Sequence, residues 1–505
     1  MTRLQFLTCL FAAGLVTTGA HGQPRPDAVP LERQDTEVDP EQLLDADLFV
    51  NPAGIAGAQA RATQRPPQTQ DPAVLARFYL QRGKAQQLVG HESAAWRDLN
   101  QAVTYARRAT GVDRAPMFVA LADAEASRNN MKRAIALIRE ALDLTPANQR
   151  GRRLVGQARL ARFLAQAGDV DAAEQVLDEA EDQADAVGDR SGRQRRQGQR
   201  QGGQNPSNRR PGATGPALGR GGGLQAASSP IQRALQREIP MAEVAIAMMR
   251  GRYEQAESVQ RAMMAQLPSD GDAETATLRR GLATILRFQG RLAEAETEAR
   301  AALVGMQKRF GVNSVNTATA LLALASILSD QGRNVEAETL ARKGLELVRA
   351  TGRNGAGARV ALANILVAQG RWAEAVTEFT ALRQGFADDD SGFNALLPVN
   401  LNLPLALLKT GQVAEALARF KTLADTREKS MGDKHYATAE ARGFHALALA
   451  ASGDAEAAGR AFAAAVPILL ERSRASNDDG GTVAQREQNL RMILEGYVDL
   501  LADLR

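Results

Sequence analysis

Along most of this chain apolar residues recur three and four positions apart, the period that places side chains on one face of a helix. A pair of them holds a fixed place in five segments: Leu121 and Ala122, Leu160 and Ala161, Leu282 and Ala283, Leu324 and Ala325, Leu362 and Ala363. Each pair stands eight and seven residues before a break in the helical pattern. The breaks are Gly90, Gly168, Gly251, Gly290, Gly332, Gly370, Gly411 and Gly453, with Asn129 in the same role once. A Gly can close a helix in the left-handed conformation without a Cβ penalty, and Asn is its commonest substitute there, so each break predicts a helix, a tight turn and a second helix. Five residues past every break stands an Ala: Ala134, Ala173, Ala256, Ala295, Ala337, Ala375, Ala416 and Ala458 among them. These are predicted to lie where the second helix crosses the first, because a larger side chain would force the helices apart at about 1–3 kcal/mol.

The intervals between breaks are 39, 39, 83, 39, 42, 38, 41 and 42 residues, so one hairpin of nearly constant length repeats, as in helical solenoids. The long interval holds one further unit plus a stretch matching the 43 residues from Gly188 to Pro230. That stretch carries eight Arg, one Asp and almost nothing to bury, which predicts a disordered insertion between two arrays, residues 73–187 and 231–472. Residues 23–72 are rich in Pro and poor in aliphatic runs, and read as a flexible tether. Residues 1–22 begin with Arg3, an apolar run from Leu4 to Val16 and small residues ending in Ala20 and Gly22, the pattern of a secretory signal peptide. The expected product is periplasmic or secreted and not transmembrane, since that run falls short of the roughly 20 residues a membrane span needs. Residues 473–505 form a connector and a terminal amphipathic helix with Leu490, Ile493, Leu494, Tyr497, Leu500 and Leu501 on one side.

Leu and a small residue, then Gly, then Ala, with Pro146 and Pro268 each 17 residues past a break, resemble tetratricopeptide repeats over residues 75 to 470. Units longer than that family's usual length, with polar loops in "FGVNSVNTATALLALASIL" and "MGDKHYATAEARGFHALAL", are similar to the kinesin light chain type. The consensus Trp and Tyr are mostly replaced by aliphatic residues. The tail from Glu471 resembles the connector that precedes the CHAT domain, a caspase-like peptidase module, in bacterial proteins that join it to such repeats, and Arg505 stands where that domain would be expected to follow. The alternative is a last helix that caps the solenoid or pairs with another chain.

The resemblance implies an all-α, right-handed solenoid whose first helices line a concave groove for a protein or peptide partner. Counting back from the turns, its groove-facing positions fall on Arg280, Thr284 and Arg287, on Ser326 and Ser329, and on Asn364. The alternative is that these are ordinary polar surface positions. Apolar Leu401, Leu405 and Leu408 occupy the equivalent places in the next unit, where the groove is expected to be covered.

Composition supports helices, with 44% apolar residues but only 4% aromatic. It also removes chemistry. Cys9 is the single cysteine and lies in the leader, so the mature chain has no thiol for a disulfide, a metal or nucleophilic attack. The four histidines, His21, His91, His435 and His445, form no ligand cluster and no dyad with a cysteine. No phosphate-binding Gly-rich loop with Lys is present, and "GRGGG" sits in low-complexity sequence. Glu294 and Glu296, like Glu336 and Glu338, are two apart on a helix and point away from one another, which suits solvated faces better than acid–base catalysis. No catalytic residue, metal or cofactor is therefore expected.

The net charge is +4, but the insertion contributes +7 and leaves −3 for everything else. Basicity thus belongs to one loop without aromatic residues for stacking bases, which argues against nucleic acid. The loop is expected to be a solvated linker, or else to touch an acidic surface such as anionic lipid, polysaccharide or protein. The function expected is an exported, non-enzymatic repeat scaffold, the sensing half of a CHAT-type assembly. The alternatives are an accessory subunit of a peptidase supplied on another chain, and an envelope scaffold anchored through the Arg-rich loop.

Overall fold

Ala, Leu, Glu and Arg fill the segments between the breaks, residues that lose little freedom in a helix, and every such segment is helical in the computed structural model, which describes residues 56–128, 130–183, 230–267, 273–350, 355–384, 400–473 and 483–503. No strand occurs among the described residues. A short helix α1 (Ala56–Ala62) leads into nine hairpins among the described residues. The first three are α2 (Pro72–Leu88) with α3 (Glu92–Arg108), α4 (Ala115–Ser127) with α5 (Met131–Leu144), and α6 (Arg150–Gln166) with α7 (170–183). Then come α8 (Pro230–Met249) with α9 (Tyr253–Ala265), α10 (Ala273–Phe288) with α11 (Leu292–Phe310), and α12 (Val315–Asp330) with α13 (Asn334–Ala350). The last three are α14 (Ala356–Ala368) with α15 (Trp372–Gln384), α16 (Asn402–Lys409) with α17 (Val413–Met431), and α18 (Tyr436–Ala451) with α19 (Ala455–Ser473). Helix α20 (Val483–Asp503) closes the described chain.

All eight turn glycines adopt φ between +72° and +90°. At Gly290 the Gly amide donates to the Arg287 carbonyl and the Arg291 amide to that of Leu286, both at 3.0 Å, the paired bonds that end a helix on a left-handed residue. Asn129 lies outside the described residues, yet the Asn130 amide donates to the Glu125 carbonyl at 2.9 Å, the same wide bond at that turn. The Ala five residues past each turn is fully buried at every repeat, and the Leu–Ala pairs ahead of the turns are buried too. Small residues at the crossing and a Leu seam beside it make the core.

The two expected arrays are one stack. Helix α8 packs along α6, and a single buried cluster runs from Ala76 to Ile246. The approach is close enough that a Cβ on Gly151 would meet Ile231 Cγ2 at 2.5 Å. The insertion lies outside the described residues up to Pro230, which is the first residue of α8. The expected tether differs in its last part. Ala56–Ala62, a run of helix-forming residues, packs on α2, buries Ala62 and receives a bond from Gln86 Nε2 at 3.3 Å to the Ala62 carbonyl. Residues 1–55 lie outside the described residues, as do Pro268 and the connector at 474–482.

First helices of neighbouring hairpins touch one another, as in α2 with α4, α10 with α12, α12 with α14 and α14 with α16. No comparable contact joins the second helices among the described residues. The first helices therefore form the inner wall of the curve and the second helices the outer one. The array coils far enough that the imidazole of His435 lies against Gly251, five hairpins earlier. At the far end α20 covers α18 and α19, burying Ile493 and Leu500 and stacking Tyr497 on Phe462 at 5.0 Å. Leu501, expected on the packed side, stays 47% exposed one turn from the helix end.

Candidate binding groove

All six residues assigned to the groove lie on first helices of α10, α12 and α14, and all are half-buried. Their polar groups are not equally available. Arg287 forms a two-point pair with Asp330 of α12, Nε to Oδ2 at 2.5 Å. Thr284 and Ser326 turn their hydroxyls onto their own helix, donating to the carbonyls of Arg280 at 3.1 Å and Leu322 at 3.0 Å. Ser329 donates to Asn334 Oδ1 at 3.0 Å. Asn364 Oδ1 accepts from the side-chain amides of Asn400 and Asn402 at 3.3 and 3.1 Å, which ties α14 to α16. Leu405 is buried on α16, in keeping with a groove that is covered there. Arg280 is the one of the six whose side chain has no hydrogen bond or ion pair among the described residues, and its Nε is buried without an acceptor.

A second charged site, which the residue-by-residue reading missed, lies where α4, α6, α8 and α10 meet. Asp123, Arg159, Arg162, Arg237, Glu238 and Thr277 line a cavity of about 930 Å³ there. Arg159 donates to Glu238 in a short ion pair and approaches Asp123 at 3.4 Å; Arg162 stands 3.5 Å from Glu238 and 3.7 Å from Asp123; Arg237 adds a third bond to Glu238 at 3.0 Å. Burial alone would raise the Glu238 carboxyl, but Arg159, Arg162 and Arg237 outweigh it and hold it below the ordinary carboxylate range. Asp123 goes the other way. Its side chain keeps 40% of its surface open to the cavity, yet the enclosing walls desolvate it, and the longer contacts to Arg159 and Arg162 do not offset that rise. Arg162 is lowered by burial. Buried Nε groups of both Arg159 and Arg162 lack acceptors, and Glu238 Oε2 lacks a hydrogen-bond donor.

Counting six residues back from each turn, the register of Thr284, Ser326 and Asn364, also gives Asp123 and Arg162. That signal was present in the sequence. For Glu238 there was none, because its partner Arg159 is 79 residues away across the insertion.

The turn edge of the array has a different chemistry. Each Gln–Gly–Arg turn clasps the Glu that stands six residues past the preceding turn. Gln289 Nε2 and Arg291 Nη1 donate to Glu257 at 2.9 and 2.8 Å; Gln331 and Arg333 do so to Glu296 at 2.9 and 3.0 Å; Gln369 and Arg371 to Glu338 at 3.0 and 2.7 Å. The same three arginines also hold Glu294, Glu336 and Glu374 of their own helices. Across the insertion Arg250 takes the role, bonding to Asp171 at 2.5 Å and Glu174 at 2.7 Å. Glu294 and Glu296 thus face apart, as expected, but each is committed to an ion pair rather than to solvent alone. His435, too, is structural: its Nδ1 accepts from the Ala437 amide at 3.1 Å and caps α18.

Residues 154–179, 274–350 and 356–379 match tetratricopeptide repeat family models. The chain carries tetratricopeptide repeats. The matched segments fall on the turns at Gly168, Gly290, Gly332 and Gly370. Among solved structures, a Rap protein complexed with competence and sporulation factor is 14% identical, covering 78% of this chain and 99% of its own, with a TM-score of 0.44. A putative kinesin light chain from Podospora anserina with nearly identical repeats is 18% identical over 41% of this chain and 100% of its own, with a TM-score of 0.31. The P58(IPK) repeat domain is 14% identical over 85% and 99%, with a TM-score of 0.23. No curated protein matches the chain.

Proposed function

We propose that this tetratricopeptide-repeat protein is a non-catalytic scaffold whose inner wall binds a protein or peptide partner. The observation that carries the reading is the contrast between walls. Charges on the turn edge are consumed in holding repeats together, whereas the inner wall encloses a large cavity with buried donors and an acceptor left unmade. Such groups are costly when dry and are satisfied by a polar ligand. A curved inner wall with a cavity of this size suits a polypeptide segment.

Photo-crosslinking tests it. A benzoylphenylalanine placed at Ser326 or Met241 on the inner wall is expected to capture a polypeptide partner, and one placed at Val335, 79% exposed on the second helix α13, is not. Capture from Val335 with none from the inner wall would overturn the assignment. Export and partnership with a CHAT-type peptidase belong to the same proposal, on the strength of the leader-like residues 1–22 and the tail resemblance. The sequence of a mature N-terminus from the native host would test export: a chain beginning near Gln23 supports it, and one beginning at Met1 contradicts it.

A further inference from the structure

A second cavity, of about 480 Å³, lies between α2, α4, α5, α6 and α8, and its walls are mostly apolar, with Pro116, Val119, Ile138, Leu142, Val155 and Ile231 among the lining residues. Voids larger than a water molecule are few in a packed fold, so a space of this size needs a cause. Two glycines of α6 supply it. A Cβ on Gly156 would meet Leu142 Cδ2 at 2.7 Å, and one on Gly151 would meet Ile231 Cγ2 at 2.5 Å, so α6 already touches α5 on one side and α8 on the other. The helices cannot close further to fill the space, and Ile231 is left 39% exposed at its wall.

The polar groups around this space are nearly all accounted for. The Thr145 hydroxyl donates to the Ala141 carbonyl at 2.7 Å, Arg152 donates to Asp113 at 2.5 Å and to Gln149 at 3.0 Å, and Asp123 faces Arg159 and Arg162. Lys84 is exposed and keeps its hydration, and Gln87 one turn along carries no charge. Arg159 borders both this cavity and the junction cavity. Its charge is matched by Glu238 and Asp123, but its buried Nε–H has no acceptor. What is missing beside these apolar walls is a hydrogen-bond acceptor and not a counter-charge.

We propose that this cavity binds a neutral small molecule with a medium-length alkyl chain and one carbonyl group, of which an acyl amide is the simplest. The chain lies against Val119, Leu142 and Ile231, and the carbonyl oxygen accepts from the Arg159 Nε–H. Withdrawal of apolar surface from water drives the association, and the single acceptor fixes its orientation. A carboxylate of the same length brings a desolvated charge next to Asp123, and an alkylammonium offers no acceptor. The site is separate from the polypeptide groove, since none of its apolar lining residues lines the junction cavity.

The test is isothermal titration calorimetry on the full chain with octanamide, octanoate, octylammonium and acetamide. Octanamide is expected to bind saturably and about tenfold or more tighter than octanoate or octylammonium, and acetamide, which lacks the chain, is expected not to bind. Val119→Phe on α4 and Ala234→Leu on α8 each fill part of the cavity and should weaken octanamide by about tenfold or more, whereas Val335→Phe, exposed on α13, should leave it unchanged. Thermal melting by circular dichroism shows which variants fold; one folded cavity variant is enough, and with neither the ligand series alone decides. No saturable octanamide binding, or binding undiminished in a folded cavity variant, overturns the site. Octanoate binding as tightly as octanamide overturns the neutral ligand. Each of these failures leaves the polypeptide groove standing, because photo-crosslinking tests that wall separately.

Discussion

The turn edge and the inner wall of this solenoid use the same side chains to opposite ends. On the edge, Arg333 donates to Glu296 of the preceding repeat and to Glu336 of its own, so that every charge has a counter-charge and the repeats are laced together. On the wall, three guanidinium groups crowd Glu238, Asp123 is held only at 3.4 and 3.7 Å, and Arg280 has no counter-charge. Polar groups are matched along the turn edge and left partly unmade on the inner wall. The edge even records where lacing stops. At the position equivalent to Glu338 the next repeat has Val376, and the turn that would clasp it reads Thr410–Gly411–Gln412, so acceptor and donors are lost together.

The difference between the regions can be broken most severely at the junction. Glu238→Ala removes the carboxylate shared by Arg159, Arg162 and Arg237 and leaves the buried Arg159 and Arg162 only their longer contacts to Asp123, a loss expected at about 3 kcal/mol by chemical denaturation. Ala295→Leu, at a fully buried helix crossing, is expected to cost about 1–3 kcal/mol through overpacking, with no change in the ion pairs of the edge.

Removing one rung of the edge costs less. Glu296→Gln is expected to lose about 1 kcal/mol, since the pair is only partly buried. Its pH dependence has a definite sign. Burial alone would raise Glu296, but bonds from Gln331, Arg300 and Arg333 lower it below its unfolded value, and Glu257 and Glu338 behave alike. Their contribution is whole above the unfolded carboxylate pKa of about 4 and is lost as pH falls through the lower folded values. Wild type should therefore lose more stability on acidification than Glu296→Gln, measured as denaturation midpoints across that window. The smallest effect is a gain: Val376→Glu with Thr410→Gln and Gln412→Arg should add a rung worth up to about 1 kcal/mol, seen as a raised melting temperature.

Much of this architecture was readable in advance because it is local. A Gly closing a helix and an Ala at a crossing act within a dozen residues, and both recur with the period of the repeat. One irregular interval predicted an insertion, and that stretch lies outside the described residues up to Pro230. The lacing was missed for a physical reason: Glu296 and Arg333 are 37 residues apart, and their pairing exists only once hairpins have stacked. Even so, a Glu at a constant offset from every Gln–Gly–Arg turn was a legible clue. The register of the candidate groove residues named positions on first helices, but burial and pairing, which separate Arg280 from Arg287, are properties of the assembled wall. Ala56–Ala62 was assigned to the tether because the Pro-rich residues on either side dominated the composition of that stretch.

Thermal denaturation of Arg280→Met beside Arg333→Met, without ligand, tests the central contrast most directly. Arg333→Met should lower stability by about 1 kcal/mol, because it strips a rung from the edge, whereas Arg280→Met should leave it unchanged or raise it, because it removes a half-buried charge whose buried Nε–H has no acceptor. A loss from Arg280→Met as large as that from Arg333→Met would contradict the account.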